Sequence, residues 1–196
     1  MRFLLRRVAV ALIVIVIAVT VVGVVVVRDH IATEAARTPA PACPAHPAER
    51  IGTLLVPRGP VAGFCQNRLV NAAHIINAAR TLGIGEHTQA IGVMTAIGES
   101  GLVNLDHGDT AGPDSRGLFQ QRANGAWGSL HDRMSPYTAA YDFFTALVAI
   151  PSWKRLTPAQ AAHAVQANAD PGYYGTYWND AVTIVSTLNG KQPTRH

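Results

Sequence analysis

The sequence is poor in cysteine, in charge and in the short motifs that hold metal ions. Two of its 196 residues are cysteines, and only 14% of them are charged. It contains neither CxxC nor HExxH, and the loop with Asp106, His107 and Asp109 lacks the oxygen spacing and the twelfth-position glutamate of an EF-hand. The eight histidines are scattered. We therefore predict no metal site and no cofactor.

A basic surface of the kind that binds nucleic acid is also missing. The formal net charge is +4, but Arg2, Arg6, Arg7 and Arg28 all flank one apolar run near the N-terminus. Beyond Arg28, the basic residues match the acidic ones in number and form no cluster. Nucleic acid is therefore excluded as an expected partner.

Residues 8–27 form an apolar run without a charge. A helix of that length spans about 30 Å, the thickness of the hydrocarbon core of a bilayer. Because three arginines precede the run and Arg28 and Asp29 cancel behind it, we expect a cytoplasmic N-terminus. The prediction is a single-pass signal anchor over residues 1–28, with the rest of the chain outside the cell membrane. A cleaved signal peptide, whose apolar core is usually about 7–15 residues, is the alternative.

Both cysteines, Cys43 and Cys65, lie in the part that we expect to be exported. An even number of cysteines in an oxidising compartment favours a disulfide. Residues 29–62 predict an extended stalk, because the stretch 33–48 is rich in proline and alanine and has little to build a core. A folded domain is expected over residues 63–190, with a tail over 191–196.

Helical patterns dominate the predicted domain. Apolar residues recur at helical spacing, and segments begin at Ser-Pro or Thr-Pro or stop at glycine. The predicted helices cover 67–83, 87–100, 135–150, 157–168 and Tyr173 to Leu188. Between Leu102 and Arg122 the periodicity disappears among turn-forming residues. The predicted fold class is mainly α, with one irregular or short-β lobe directly after the second helix.

Glu99 is the leading candidate for chemistry, because it falls in the last turn of the second predicted helix. The negative end of the helix dipole and apolar neighbours would both raise the pKa of its carboxyl group. A carboxylic acid that stays protonated can donate the proton that cleavage of an acetal requires. The alternative is an ordinary solvated glutamate at a helix end.

The blocks around Glu99 resemble the core motif of the lysozyme-like superfamily, especially lytic transglycosylases and goose-type lysozymes. They are most similar to small exported bacterial proteins with the pattern ESGLxNL, GDxDSxGLFQQR and a following W-G. The matching residues are Glu99 to Leu102, Asn104-Leu105, Gly108-Asp109, Asp114-Ser115, Gly117 to Arg122 and Trp127-Gly128. The similarity runs from about Asn71 to Trp178, and residues 110–113 look like a short insertion within it.

This resemblance implies a lysozyme-like fold and cleavage of the β-1,4 glycosidic bonds of peptidoglycan glycan strands. Glu99 would be the catalytic acid, and a transglycosylase would use it afterwards as the base. The implied substrate-binding residues are Ser100, Asn104, Asp109, Asp114, Ser115, Gln120, Gln121, Tyr173 and Tyr174. Ser100 would orient the acid, Gln120 or Gln121 would bind acetamido groups, and the tyrosines would contact sugar rings. Polar loop residues and core tyrosines are the alternative interpretations.

The sequence does not decide whether a second carboxylate takes part, or whether the reaction is hydrolysis or transglycosylation. Hydrolysis usually needs a second carboxylate, for which Asp109 and Asp114 are the candidates, whereas a transglycosylase needs none. Aspartates in such turns often cap backbone amides instead. A catalytically silent wall-binding module is the alternative function. An exported peptidase finds no support, because no Ser-His-Asp or Cys-His motif is present.

Overall fold

The computed structural model describes residues 43–191, and this part of the chain is mainly helical, as predicted. The helices are α1 (Gln66–Thr81), α2 (Glu86–Ser100), α3 (Leu130–Met134), α4 (Pro136–Ala149), α5 (Pro158–Gln166) and α6 (Trp178–Leu188). Two 3-10 helices cover Trp153–Arg155 and Tyr173–Tyr177. Two short strands, β1 (Glu49–Ile51) and β2 (Leu54–Val56), pair antiparallel.

Helices α4 and α5 begin where the sequence predicts. Ser135 caps α4 by accepting a hydrogen bond from the Thr138 amide. Thr157 and Gln160 form a capping box at the start of α5. Both helices have proline in the first turn, where the missing amide hydrogen costs nothing. Helix α3 was not predicted, because its five residues are too few for a periodic apolar pattern.

Helix α2 is the central helix of the fold. Every residue from Thr88 to Ile97 is buried, and α2 packs against α1, α5 and α6. Small residues permit this close packing, since Gly92 leaves room for the ring of Phe144. The helix ends at Gly101, which adopts the left-handed conformation that glycine favours. The last turn of α2, which carries Glu99, is therefore supported by the core.

The stretch between α2 and α3 contains no helix. It is ordered by isolated bridges that pair Leu105 with Gly117 and Arg116 with Gln121. Two side chains of α1 hold its beginning: Arg68 donates to the Gly101 carbonyl at 2.8 Å, and Asn71 donates to the Leu102 carbonyl at 2.9 Å. The irregular lobe is thus attached directly to the end of α2.

Residues 43–62 belong to the folded unit, which corrects the predicted stalk boundary at residue 62. Leu54 and Val56 alternate into the core, and the turn between the strands contains Gly52 at a positive φ. Cys43 and Cys65 form the predicted disulfide, with their Cα atoms 5.3 Å apart. The proline-rich composition of the preceding residues concealed this short hairpin, because three-residue strands give almost no periodic signal.

Three predicted segments lie outside the described residues: the apolar run 8–27, the first part of the stalk up to residue 42, and the tail from residue 192. Within residues 43–191, none of the helices combines the length and the apolar character that crossing a bilayer requires.

Candidate active site

Glu99 lies half-buried in the wall of an open cleft with a volume of about 700 Å³. The end of α2 forms one side of this cleft, the irregular lobe forms the second, and the chain from Asn168 to Tyr174 forms the third. The lining residues are Gly98, Glu99, Leu105, His107, Gly108, Asp109, Ser115, Gln120, Asn168, Ala169, Asp170, Tyr173 and Tyr174. The cleft therefore includes six of the ten residues predicted for catalysis or substrate binding.

The hydroxyl group of Tyr174 donates a hydrogen bond to Oε1 of Glu99. The ring of Tyr174 is fully buried, which fixes the position of this hydroxyl. Burial, followed by the hydrogen bond and the charge of Glu99, raises the pKa of Tyr174 far above its usual value. The phenol consequently stays protonated and acts as a donor.

A glycine makes this contact possible. A Cβ atom on Gly98 would lie 2.8 Å from Cδ1 of Tyr174 and 3.1 Å from Cε1 of Tyr173. The Gly98 carbonyl also accepts a hydrogen bond of 2.9 Å from the Tyr173 hydroxyl. Two consecutive tyrosines are thus tied to two consecutive residues in the last turn of α2.

The environment of Glu99 favours the protonated carboxyl group. Loss of hydration raises the pKa of Glu99 above its ordinary value, and the negative charge of Asp109 adds to this increase. Hydrogen bonds from Tyr174 and from the nearby Gln166 amide act in the opposite direction, but burial dominates. One hydrogen of that amide is already engaged by the Phe119 carbonyl at 2.7 Å. The result is an acid that holds its proton at a higher pH than an exposed glutamate does.

The irregular lobe brings Ser115 and Gln120 to the cleft. The Ser100 hydroxyl lies within hydrogen-bond distance of the carbonyls of Ala96, at 3.0 Å, and Leu118, at 2.9 Å, which joins α2 to the lobe. Gln120 has a positive φ of 46°, and its amide donates to the Gly117 carbonyl. Ser100 therefore holds the lobe, and Gln120 is the glutamine that faces the open space.

Besides Ser100, three predicted substrate-binding residues do not line the cleft. Gln121 is 2% exposed, and its amide donates to the Ala139 carbonyl at 3.1 Å. Asn104 donates to the Met134 carbonyl at 2.7 Å. Asp114 pairs with Arg122 at 2.5 Å and accepts a hydrogen bond from the Ala123 amide. These side chains hold the lobe together through contacts with backbone groups. Nothing in the sequence distinguishes such residues from residues that bind a ligand.

Two aspartates line the cleft in addition to Glu99. Asp109 accepts hydrogen bonds from the amides of Ala111, at 3.0 Å, and Gly112, at 2.7 Å, all through Oδ1. Asp170 accepts one from the Gly172 amide at 2.8 Å, also through Oδ1. Each therefore stabilises a turn with one oxygen and leaves the other oxygen available.

On the third side of the cleft, Tyr173 and Tyr174 were predicted from the sequence, but Asn168, Ala169 and Asp170 were not. Oδ1 of Asn168 accepts a hydrogen bond from Nδ1 of His163 at 2.7 Å, and the Asn168 amide group donates to the Asp170 carbonyl. The only signal for this segment is its position between a helix end and a Pro-Gly turn, where polar residues commonly serve backbone capping. The described residues contain no group of three or more His, Cys, Asp or Glu side chains that could hold a metal ion.

No protein-family model matches the chain, and no curated protein matches its sequence. The functional argument therefore depends on the residues of the cleft.

Proposed function

We propose that this protein cleaves the β-1,4 glycosidic bonds of peptidoglycan glycan strands, with Glu99 as the general acid and base. The observation that carries the proposal is the half-buried Glu99 carboxyl group, whose pKa is raised by burial and whose Oε1 is held by Tyr174 in an open cleft. The residues around it support the assignment to a lysozyme-like fold and to its transglycosylase or lysozyme members.

The proposed reaction begins with the transfer of a proton. Because Oε1 accepts the Tyr174 hydrogen bond, Oε2 carries the proton of the neutral acid and delivers it to the bridging oxygen. The bond between this oxygen and the anomeric carbon then breaks, and positive charge develops on the sugar ring. Tyr174 stabilises the carboxylate that remains, since its hydroxyl still donates to it.

The second step has two forms, which differ in the nucleophile. In a transglycosylase, Glu99 takes a proton from the 6-hydroxyl of the substrate, and this oxygen closes an anhydro ring. In a hydrolase, water attacks, assisted by a second carboxylate. Asp109 and Asp170 have a free oxygen for this role, whereas Asp114 is bound to Arg122 outside the cleft.

Tyr173 supplies a surface suited to a sugar. Its side chain lines the cleft and is 40% exposed, while its hydroxyl is held by the Gly98 carbonyl. An aromatic ring fixed in this way can pack against the apolar face of a sugar ring. Gln120 and Ser115 offer polar groups to the same cleft and complete the proposed substrate site.

The proposed location follows from residues 1–28, which we expect to anchor the chain with its domain facing the cell wall. Mass spectrometry of products from purified wall tests the function. An anhydro-muramyl end identifies a transglycosylase, and a reducing end identifies a hydrolase. If neither product forms, the proposed activity is wrong, and a wall-binding module becomes the better hypothesis.

A further inference from the structure

A second groove opens where α4, α5 and the turn before α3 meet. Its volume is about 640 Å³, and it shares no lining residue with the cleft around Glu99. We call it the Trp127 groove, after the indole in its wall. Asp132 and Asp142 also line it, together with small and apolar side chains of α4 and α5, and its lining contains no lysine, arginine or histidine.

Packing of the hydrophobic core does not account for a tryptophan at position 127. Its indole is partly exposed, and it is not among the hydrophobic residues that pack against the main core. A large, partly exposed aromatic side chain that lines a groove outside the core is typical of a binding surface.

Asp142 is the second unexplained group in this groove. It is half-buried, and within residues 43–191 it has no hydrogen-bond or ion-pair partner. Burial and the negative charge of Asp132 raise the pKa of the Asp142 carboxyl group. Asp132 differs, since it accepts hydrogen bonds from the amide and hydroxyl of Ser129. A positively charged ligand would therefore relieve the repulsion between the two aspartates.

The end of α5 separates the two sites. Ala164 and Val165 line the Trp127 groove, whereas Asn168 and Ala169, just beyond the helix, line the cleft around Glu99. A branch of a strand bound in the cleft would thus pass close to the groove. In peptidoglycan such branches are peptide stems, and a stem that is not cross-linked ends its diamino acid in an aliphatic ammonium group.

We propose that the Trp127 groove binds the ammonium group of a diamino acid in the peptide stem of the substrate. The ammonium lies between Asp142 and the indole face, and its methylene chain contacts Ile150 and Val165. An aromatic ring and a carboxylate together bind ammonium ions, by cation–π attraction and by charge. The proposal rests on the proposed function, because the stem reaches the groove as part of the wall strand.

The binding test uses the purified full-length chain and two small probes. One is Nα-acetyl-lysine methylamide, which has a free ammonium group, and the other is the same molecule acetylated at Nε. Binding is followed by NMR at the indole N–H of Trp127, which a Trp127→Phe spectrum assigns among the three tryptophans. We expect the charged probe to bind about fivefold more tightly than the neutral probe.

Matched variants identify the charge responsible. Asp142→Asn should remove the preference for the charged probe, whereas Asp180→Asn, which removes one charge from a residue outside the groove, should retain it. Glu99→Gln should also bind like the wild-type protein. Thermal unfolding checks that each variant folds. Equal binding of the two probes, no binding, or an unchanged preference in Asp142→Asn overturns the proposal.

A second assay separates this proposal from the proposed activity. Cleavage of whole wall is compared with cleavage of glycan from which an amidase has removed the stems. Asp142→Asn should raise KM about fivefold on the stem-bearing wall alone. An equal effect on both substrates overturns the assignment to the stem. If the wild-type protein cleaves neither substrate yet prefers the charged probe, the proposed activity fails and the ammonium site remains.

Discussion

At the scale of single residues, the contact between Tyr174 and Glu99 should control the pH at which the protein acts. The hydrogen bond stabilises the carboxylate, so Tyr174→Phe should raise the pKa of Glu99 further. The basic limb of the pH profile of kcat/KM should then move to higher pH, because the acid must be protonated. Stability should fall by about 1 kcal/mol through the lost hydrogen bond.

Tyr137→Phe is the matched control for this prediction. The Tyr137 hydroxyl donates to Thr81 at 2.9 Å, on an exposed surface outside the cleft. This variant should leave the pH profile unchanged. A basic limb that stays in place, or moves to lower pH, in Tyr174→Phe would contradict the assigned role of the tyrosine.

Glu99→Gln should abolish cleavage and preserve the fold. Glutamine keeps the shape and the hydrogen-bonding capacity of the side chain but has no proton to transfer. The rate should fall by at least about 10² to 10⁴-fold, the usual contribution of general acid catalysis. Product release from purified wall measures the loss. Asp109→Asn and Asp114→Asn are the comparisons, and full activity in Glu99→Gln with loss in either aspartate variant would show that Glu99 is the wrong acid.

The same substitution should stabilise the protein at neutral pH. A raised pKa means that folding favours neutral Glu99, so its contribution to stability is present below the unfolded value, 4.5, and is lost as the pH rises through the folded value. Glutamine does not titrate, so Glu99→Gln should raise the free energy of unfolding at neutral pH by on the order of 1 kcal/mol. Urea unfolding at several pH values measures it. A gain of equal size at pH 3 and pH 7 would be inconsistent with this explanation.

The position of Glu99 was easier to predict from the sequence than the positions of its neighbours. Glu99 falls at a predicted helix end and within the motif that carries the resemblance, and the structure places it in the cleft. Gln120 and Gln121 are adjacent and identical in type, yet one faces the cleft and the other the Ala139 carbonyl. Only the local backbone, with its positive φ at Gln120, decides between them. Such conformations depend on contacts that are distant in sequence.

At the scale of the elements, the junction between α2 and the 3-10 helix Tyr173–Tyr177 should tolerate no added methyl group. Gly98→Ala would place a Cβ atom 2.8 Å from the Tyr174 ring and displace its hydroxyl from Glu99. We expect a loss of about 1–3 kcal/mol in stability and a large loss of cleavage. Urea unfolding and wall cleavage measure the two effects.

Gly175→Ala serves as the control in the same 3-10 helix. Its added Cβ atom would meet the Ala159 side chain at 3.6 Å, an ordinary contact distance. This variant should retain activity and most of its stability. If Gly98→Ala behaved in the same way, close packing at the end of α2 would not be what positions Tyr174.

Longer elements were predictable and shorter ones were not. Helices α1, α2, α4, α5 and α6 have apolar periodicity or a Pro-containing start that sequence analysis detects. Strands β1 and β2 and helix α3 have at most five residues each, and they pack against the longer helices α1 and α4. Tertiary contacts define such elements, because their local preferences are weak.

At the scale of the whole molecule, the disulfide connects the N-terminal hairpin segment to α1. It closes a loop with a sequence separation of 22. The double variant Cys43→Ser, Cys65→Ser should lose roughly 3 kcal/mol of stability in the chain-entropy model. The cleft should keep its activity at low temperature, because neither cysteine lines it. Urea unfolding measures the loss, and a variant as stable as the wild-type protein would contradict the prediction.

Two of the three sides of the cleft, the irregular lobe and the chain after α5, differ in how they are attached to the helices. The irregular lobe is bound to α2 by Ser100 and to α3 by the buried Arg133, which donates to the carbonyls of Asp114 and Gln121. Residues 167–172 instead form a short arch, whose polar contacts are with itself and with α5. Gln166 and Tyr173 fix the two ends of this arch. We therefore expect any opening of the cleft to move residues 167–172, while Glu99, held by the buried Tyr174, keeps its place.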